Sequence, residues 1–354
     1  MKIAIAGAGI AGGYLAHLLD QQGLSPDVYD AMDHDTRCRC RSCGWGVSTG
    51  TEKCLAAIDL DLNEYLLEPM SSMNFDGLVA GTPLITVDKP RLIHDLTKNI
   101  TLKRQNLGQA EAQDYDILVD ATGVKRALLP PCRSDLTLPT LQQRVAVESR
   151  GGGHLEAGVY GNQVPGLGYV WVFPLGGDQY HIGIGGIGNF RPESVMNRFY
   201  QGVSGHFKFT TVCTCRGDIR VASPFYSTPL YQSGPRNSKT PQLILGVGES
   251  IGTVAPFTGE GIVYSLECAT MLAESWADPE RYSRMVLARF AWMRKERETL
   301  DYLLGRGRKS GPRLRDRWRF FRNARRSGID LPLLEAFRRM GSLTQWLDNP
   351  EADP

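Results

Sequence analysis

The chain predicts an α/β protein, α+β taken as a whole. A Rossmann-like nucleotide-binding domain carries an inserted antiparallel β-sheet, and a helical region forms the C-terminal part. Three observations carry that expectation. The chain opens on a strand, a glycine turn and a helix; two later strands also end in small residues; and the middle consists of alternating, aromatic-rich runs.

Ile3, Ala4, Ile5 and Ala6 read as a strand covered on both faces, and Tyr14, Leu15, Leu18 and Leu19 as the packed face of the helix behind it. Gly7 permits the tight turn, Gly9 lets backbone approach a pyrophosphate, and Gly12 lets helix and strand close on each other. The next strand ends in Asp30, twenty-three residues beyond Gly7. That offset suits a carboxylate accepting hydrogen bonds from an adenosine ribose.

An NAD-dependent dehydrogenase would continue into a second mononucleotide unit, but regular β/α alternation fades after about residue 60. Instead, Tyr115 to Asp120 forms a strand ending at Ala121, Thr122 and Gly123. Leu243 to Val247 repeats the pattern before Gly248 and Glu249. Pro256 to Ile262, with Gly259 and Gly261, then leads into a helix through Val263, Leu266, Ala269, Met271 and Leu272. Three strand ends converging on one long ligand suit FAD better than NAD. The expected division is residues 1–140 with 241–276 for the FAD-binding domain, 141–240 for the inserted antiparallel substrate domain, and 277–354 for the helical C-terminal region.

Within the insert, Arg144 to Glu148, Gly158 to Tyr160, Tyr169 to Phe173, Tyr180 to Ile184 and His206 to Val212 read as strands. Gly151 to Gly153 and Gly176 to Asp178 read as turns between them. One face of such a sheet could cover the cofactor and wall an apolar pocket. Tyr169, Trp171 and Phe173 also fit plain core packing, since alternating aromatics commonly fill a sheet face.

At 354 residues the chain suffices for two domains with substantial cores, and a net charge of +2 describes no global polyanion binder. No apolar run approaches the roughly eighteen to twenty residues that span a bilayer. The amino terminus begins directly with a core strand, so a cytoplasmic protein is expected, at most held to the inner membrane surface. The eight cysteines are then expected to be mostly thiols. Cys38, Cys40, Cys43 and Cys54 cluster, as do Cys213 and Cys215, but no matching second CxxC completes a four-ligand metal set, and no metal is expected.

HExxH and Walker motifs are missing, which removes support for metal-assisted proteolysis and phosphoryl transfer. The six histidines, His181 among them, are scattered and read as structural.

Four segments carry a family resemblance: GAGIAG with Asp30, the run Cys43 to Gly46, the YxWxFP string Tyr169 to Pro174 followed by Gly183 and Gly185, and Pro256 to Ile262. Over roughly residues 1 to 275 the chain resembles the geranylgeranyl reductase family of p-hydroxybenzoate hydroxylase-like flavoproteins. The resemblance implies adenine-side contacts from Gly7, Gly9, Gly12 and Asp30, and flavin-side contacts from Cys43, Gly44 and Gly46. Arg91 resembles the family arginine that contacts FAD, Arg41 would face the pyrophosphate, and Ala121 and Gly123 belong to the Ala-Thr-Gly turn. Gly259, Gly261 and Ile262 would place the amide end of the late helix at the isoalloxazine. Tyr169, Trp171, Phe173 and Pro174 would line the substrate side.

Two departures stand out. Glu249 occupies a place where the family usually has an aspartate aimed at the ribityl hydroxyls, and Lys89 and Pro90 separate Asp88 from Arg91. The implied reaction is reduction of isolated C=C bonds of a long-chain isoprenoid, with electrons from NAD(P)H or a ferredoxin-like donor. A flavin-dependent monooxygenase or halogenase and a non-catalytic electron-transfer flavoprotein are the alternatives. Cys43 is the candidate proton donor, with Arg39 and Arg41 favouring its thiolate; the other reading is a small residue whose sulfur does nothing.

Between Arg281 and Arg326 there are sixteen basic and four acidic residues, interleaved with Trp292, Leu303, Leu304, Leu314, Trp318, Phe320 and Phe321. Such a segment fits an anionic membrane surface, and equally the solvated face of ordinary helices. No nucleic-acid-binding fold accompanies it. Leu331 to Leu347 reads as a terminal amphipathic helix.

Overall fold

The computed structural model describes residues 1–32, 43–234, 243–306, 322, 325 and 328–330. The four residues of β1 (Ile3–Ala6) are all buried, as expected of a strand covered on both faces. It leads through the glycine turn into α1 (Ile10–Gln21) and on to β2 (Asp27–Tyr29). Next come β3 (Gly46–Val47), α2 (Thr51–Ala56), the hairpin strands β4 (Leu66–Phe75) and β5 (Leu78–Val87), and α3 (Lys89–Asp95). β6 (Leu102–Lys103), α4 (Gln109–Ala112) and β7 (Ile117–Asp120) return the chain to the first sheet. β8 (Thr137–Ser149), β9 (Gly158–Tyr160), β10 (Leu167–Pro174), β11 (Gln179–Ile187), α5 (Pro192–Val203) and β12 (Phe207–Arg220) build the second. β13 (Tyr231–Ser233), β14 (Leu243–Gly246), α6 (Ile262–Ala273), α7 (Pro279–Arg289) and α8 (Ala291–Leu303) complete the named elements.

The first sheet has the order β13-β14-β7-β1-β2-β6. All its pairs are parallel except β13 with β14, which seals one edge. The strand order reverses at β1, with β2 on one side and β7 on the other, and ligands of open α/β sheets bind at such a switch point. Helices α1 and α6 cover one face through Tyr14, Leu15, Leu19, Leu266, Ala269 and Leu272. Each fully buried leucine or isoleucine there contributes about 1.5–3 kcal/mol. The Tyr14 hydroxyl ties the layer to α2 by donating to the Cys54 carbonyl at 2.8 Å.

The second sheet runs β12-β8-β11-β10-β9-β4-β5-β3 and is antiparallel apart from the β4–β9 pair. β3, β4 and β5 come from the stretch before residue 141, so this sheet takes in strands on both sides of that position. Period-two alternation separates its faces. Val170, Val172, Ile182, Ile184, Leu141 and Val145 pack against Val195, Met196 and Phe199 of α5. Tyr169, Trp171 and Phe173 stand on the other face, toward the Gly44-Trp45-Gly46 turn and the loop before α6.

The described part of the basic stretch turns its apolar side inward. Phe290 and Met293 join the first-sheet core, and Leu300 packs with Leu136, Val221 and Val254. Arg297 of α8 is itself buried, donating to the carbonyls of Ser134 and Ala222 and pairing with Asp301 at 2.9 Å. Leu314, Trp318, Phe320, Phe321 and the expected helix at 331–347 lie outside the described residues. No helix among the described residues is long and apolar enough to cross a membrane.

Candidate functional site

β1, β7 and β14 lie side by side and finish level with one another, since Ala6 pairs with Asp120 and Asp120 with Gly246. The three small-residue turns expected from sequence are thereby brought together. Gly7 has a φ of +103°, and a side chain there would fall on the Ala121 carbonyl. A side chain at Gly12 would overlap the Gly7 carbonyl, so the bare backbone is what lets α1 close on the turn. Gly9 is the N-cap of α1 and has open space where its side chain would be. That clearance, facing the unpaired amides and positive end of the helix, fits a pyrophosphate.

Asp120, absent from the sequence-derived candidates, holds this arrangement. One of its oxygens accepts from the Thr122 N–H and hydroxyl, at 3.1 and 2.6 Å, and the other from the N–H groups of Leu128 and Leu129. Its main-chain carbonyl accepts from Val247 N–H and from the Ser250 hydroxyl, joining the second and third turns. A lone carboxylate ending an otherwise apolar strand was the available signal.

Two buried arginines also went unread. Arg126 donates to the carbonyls of Pro130, Ser250 and Pro229, and Arg220 to those of Val124 and Ser250 while pairing with Asp135 at 3.2 Å. Both meet at the Ser250 carbonyl, beneath Gly123 and Glu249. Glu249 Oε1 accepts from the Arg220 N–H at 2.9 Å, and Oε2 faces Gly123. Burial raises the Glu249 carboxyl above the usual carboxylate range, while the Arg220 amide and the Lys89 and Arg220 charges oppose the shift.

On the facing sheet, the Phe173 ring lies so close to Gly44 that a side chain there would come within 2.5 Å of it, and it also covers Gly46. Trp171 Nε1 donates to Gln142 Oε1 at 3.1 Å. The Tyr169 hydroxyl reaches across to the loop before α6, donating to the Thr258 carbonyl at 2.5 Å and lying above Gly259. Gly261 is the N-cap of α6, and Ile262 its first residue. Pro174 stands at the end of β10, where its carbonyl accepts from the Thr86 hydroxyl at 2.6 Å. The aromatic row therefore faces the Gly44-Trp45-Gly46 turn and the loop before α6 together.

The other candidates are placed as follows. Asp30 accepts the N–H groups of Ala8, at 2.9 Å, and Met32, so the carboxylate steadies the first turn directly. Cys43 is a free thiol, partly buried, at the start of the Gly44-Trp45-Gly46 turn. Arg41, Arg39, Cys38 and Cys40 lie outside the described residues, among which no cluster of His, Cys, Asp or Glu could hold a metal. Arg91 donates from its guanidinium to the Glu64 carbonyl at 2.8 Å and lies over the Tyr65 ring. The cation of α3 felt by both Glu249 and His181 is Lys89, at the first helical position.

His181, set aside as structural from its scattering, is fully buried against this turn. Its ring meets Trp45 edge-on at 4.4 Å and bears on the Gly44 main chain. Burial pushes its pKa down to about 3; the Gly44 backbone opposes the fall, and the Arg144 and Lys89 charges add to it. No local sequence pattern marked it, since its place opposite Phe173 comes from cross-strand pairing.

No protein-family model matches the chain. An uncharacterized protein of Methanocaldococcus jannaschii is 23% identical over 316 residues, which cover 77% of this chain and 82% of that one. A digeranylgeranylglycerophospholipid reductase of Methanothermobacter thermautotrophicus is 28% identical over 151 residues, 40% of this chain and 35% of the relative. Among solved structures, a geranylgeranyl bacteriochlorophyll reductase-like protein of Thermoplasma acidophilum superposes with a TM-score of 0.62 at 15% identity, covering 99% of this chain and 98% of its own. A flavin-dependent brominase gives 0.61 at 9% identity, over 99% of this chain and 93% of its own. The resemblance expected from the four sequence segments is found in these comparisons, and the fold of the chain is the p-hydroxybenzoate hydroxylase-like fold that these proteins share.

Proposed function

We propose that the chain is an FAD-dependent reductase that saturates isolated C=C bonds of polyprenyl chains, geranylgeranyl groups of isoprenoid ether lipids or their precursors. The observation that carries the reading is the aromatic row Tyr169, Trp171 and Phe173, which faces the Cys43 turn and the loop before α6. The partial match to a digeranylgeranylglycerophospholipid reductase and the shared fold of a geranylgeranyl reductase-like protein support it.

Bound FAD would supply hydride chemistry. Gly7, Gly9 and Gly12 with the N-terminus of α1 would hold the pyrophosphate, and Asp30 the adenosine side. Ala121, Gly123 and Glu249 would flank the ribityl chain, with Lys89 as the nearby cation in place of Arg91. Gly259, Gly261 and Ile262 would present the positive end of α6 to the ring. Tyr169, Trp171 and Phe173 would exclude water and seat the apolar chain, and Cys43 would hold a proton on the flavin-side turn. The donor of electrons belongs to the NAD(P)H or ferredoxin class. A cytoplasmic enzyme working at the membrane surface suits a lipid substrate.

Purified protein should be yellow or take up FAD. Reduced without oxygen in the presence of a geranylgeranyl compound, it should add hydrogen pairs to that compound, read by mass. Consumption of oxygen with NADPH would point to a monooxygenase or halogenase instead. Bleaching of the flavin with no reoxidation by an isoprenoid would point to an electron carrier. Cys43→Ser and Cys43→Ala should slow turnover; a rate near the parent would remove the thiol from the mechanism.

A further inference from the structure

One rung of the second sheet runs Phe173 of β10, His181 of β11 and Arg144 of β8, paired directly across the strands and hence on one face. All three side chains bear on the same short turn. Phe173 covers Gly44 and Gly46, His181 meets the Trp45 ring at 4.4 Å with the planes at 77°, and the Arg144 guanidinium lies 6.0 Å from the centre of that ring. Trp45 is 3% exposed and has a φ of +62°, a left-handed conformation that bulky residues rarely adopt without being held there. The strand side holds it through one ladder bond, Val87 N–H to the Trp45 carbonyl at 3.1 Å.

We propose that this rung is a clamp on the Gly44-Trp45-Gly46 turn, and that His181 at its centre is the positioning residue that fixes where Cys43 stands. His181 is fully buried, so it acts through the turn and not on a ligand. The flat imidazole edge packs on Trp45 at the point where Gly44 and Gly46 leave no side chains of their own to anchor the backbone. Arg144, whose Nε is buried without a partner, closes the row from the β8 side. The inference rests on the reading above only for what the turn serves; the clamp itself is a matter of packing.

The test is the rate at which iodoacetamide alkylates individual cysteines in flavin-free protein, followed by mass spectrometry of peptides. His181→Ala should raise the rate at Cys43 about fivefold or more by freeing the turn, while Cys54 and Cys132 stay within about twofold of the parent. His181→Phe keeps a flat ring against Trp45 and should restore the parent rate. Where the alanine variant does not fold, His181→Leu fills the volume without that ring, and the same acceleration confined to Cys43 is expected. An unchanged Cys43 rate would overturn the clamp. So would acceleration of all three cysteines alike, which reports general loosening, or a Phe variant as fast as Ala. None of these readings needs the cofactor, so a protein that refuses FAD would sink the proposed function and leave the clamp to its own result.

Discussion

Burial, with the Arg144 and Lys89 charges, keeps the His181 imidazole neutral, with a folded pKa of about 3 against 6.5 for an ordinary histidine. Between those values the unfolded chain binds one more proton than the folded chain. Stability from this group is therefore complete above about pH 6.5 and declines as pH falls toward 3, by about 1.4 kcal/mol per pH unit. His181→Phe should remove that dependence. Urea unfolding at several pH values from 4.5 to 7 should give an acid limb shallower by one proton's worth, and identical slopes would show that the imidazole is not held neutral. Glu249 carries the opposite sign: its raised carboxyl adds stability at low pH that is lost as pH climbs through its folded pKa. These two residues illustrate how far composition alone reaches. Glu249 was legible because it follows a strand and a glycine, whereas His181 matters through a cross-strand register that no local pattern reveals.

Elements show the same division. The first turn was readable because its glycines answer steric needs within one βα unit, and Gly12→Ala should cost about 3 kcal/mol by driving α1 off the Gly7 carbonyl. Thermal unfolding would register the loss, and a parent-like Tm would mean that the helix has room to shift. In α3 the two cations should separate cleanly. Lys89→Met is expected to weaken FAD binding about tenfold, the scale of one charge-assisted hydrogen bond. Arg91→Ala, which removes an exposed contact with Glu64 and Tyr65, should leave it within about twofold. Flavin titrations in which Arg91→Ala had the larger effect would restore the sequence-based assignment. The β4–β5 hairpin was missed although Asp76-Gly77, with φ of 52° and 87°, is a standard two-residue turn signal. Burial alternates over residues 79–83, but the exposed positions there are Val79, Gly81 and Pro83, so no apolar–polar alternation betrays the strand.

At the scale of the whole molecule, the proposed site is the seam between the sheets, and Tyr169 ties β10 to the loop before α6. Tyr169→Phe keeps the ring but leaves the Thr258 carbonyl unpaired, so about 1 kcal/mol should be lost. Amide exchange should quicken in the loop 256–261 more than in β10 itself; equal effects would show that the hydroxyl does not tie the two halves. The seam's existence followed from three separated small-residue turns and one aromatic row. Which residues face one another across it did not, because Tyr169 meets Thr258 only through the folding together of segments far apart in sequence.

β14 reaches its place beside β7 only after the chain has travelled through the entire second sheet. A ribosome must therefore release Gly246 before the third wall of the cleft exists, and the earlier glycine turns wait unfinished through most of synthesis. Truncated products ending before that strand should lack the third wall of the cleft.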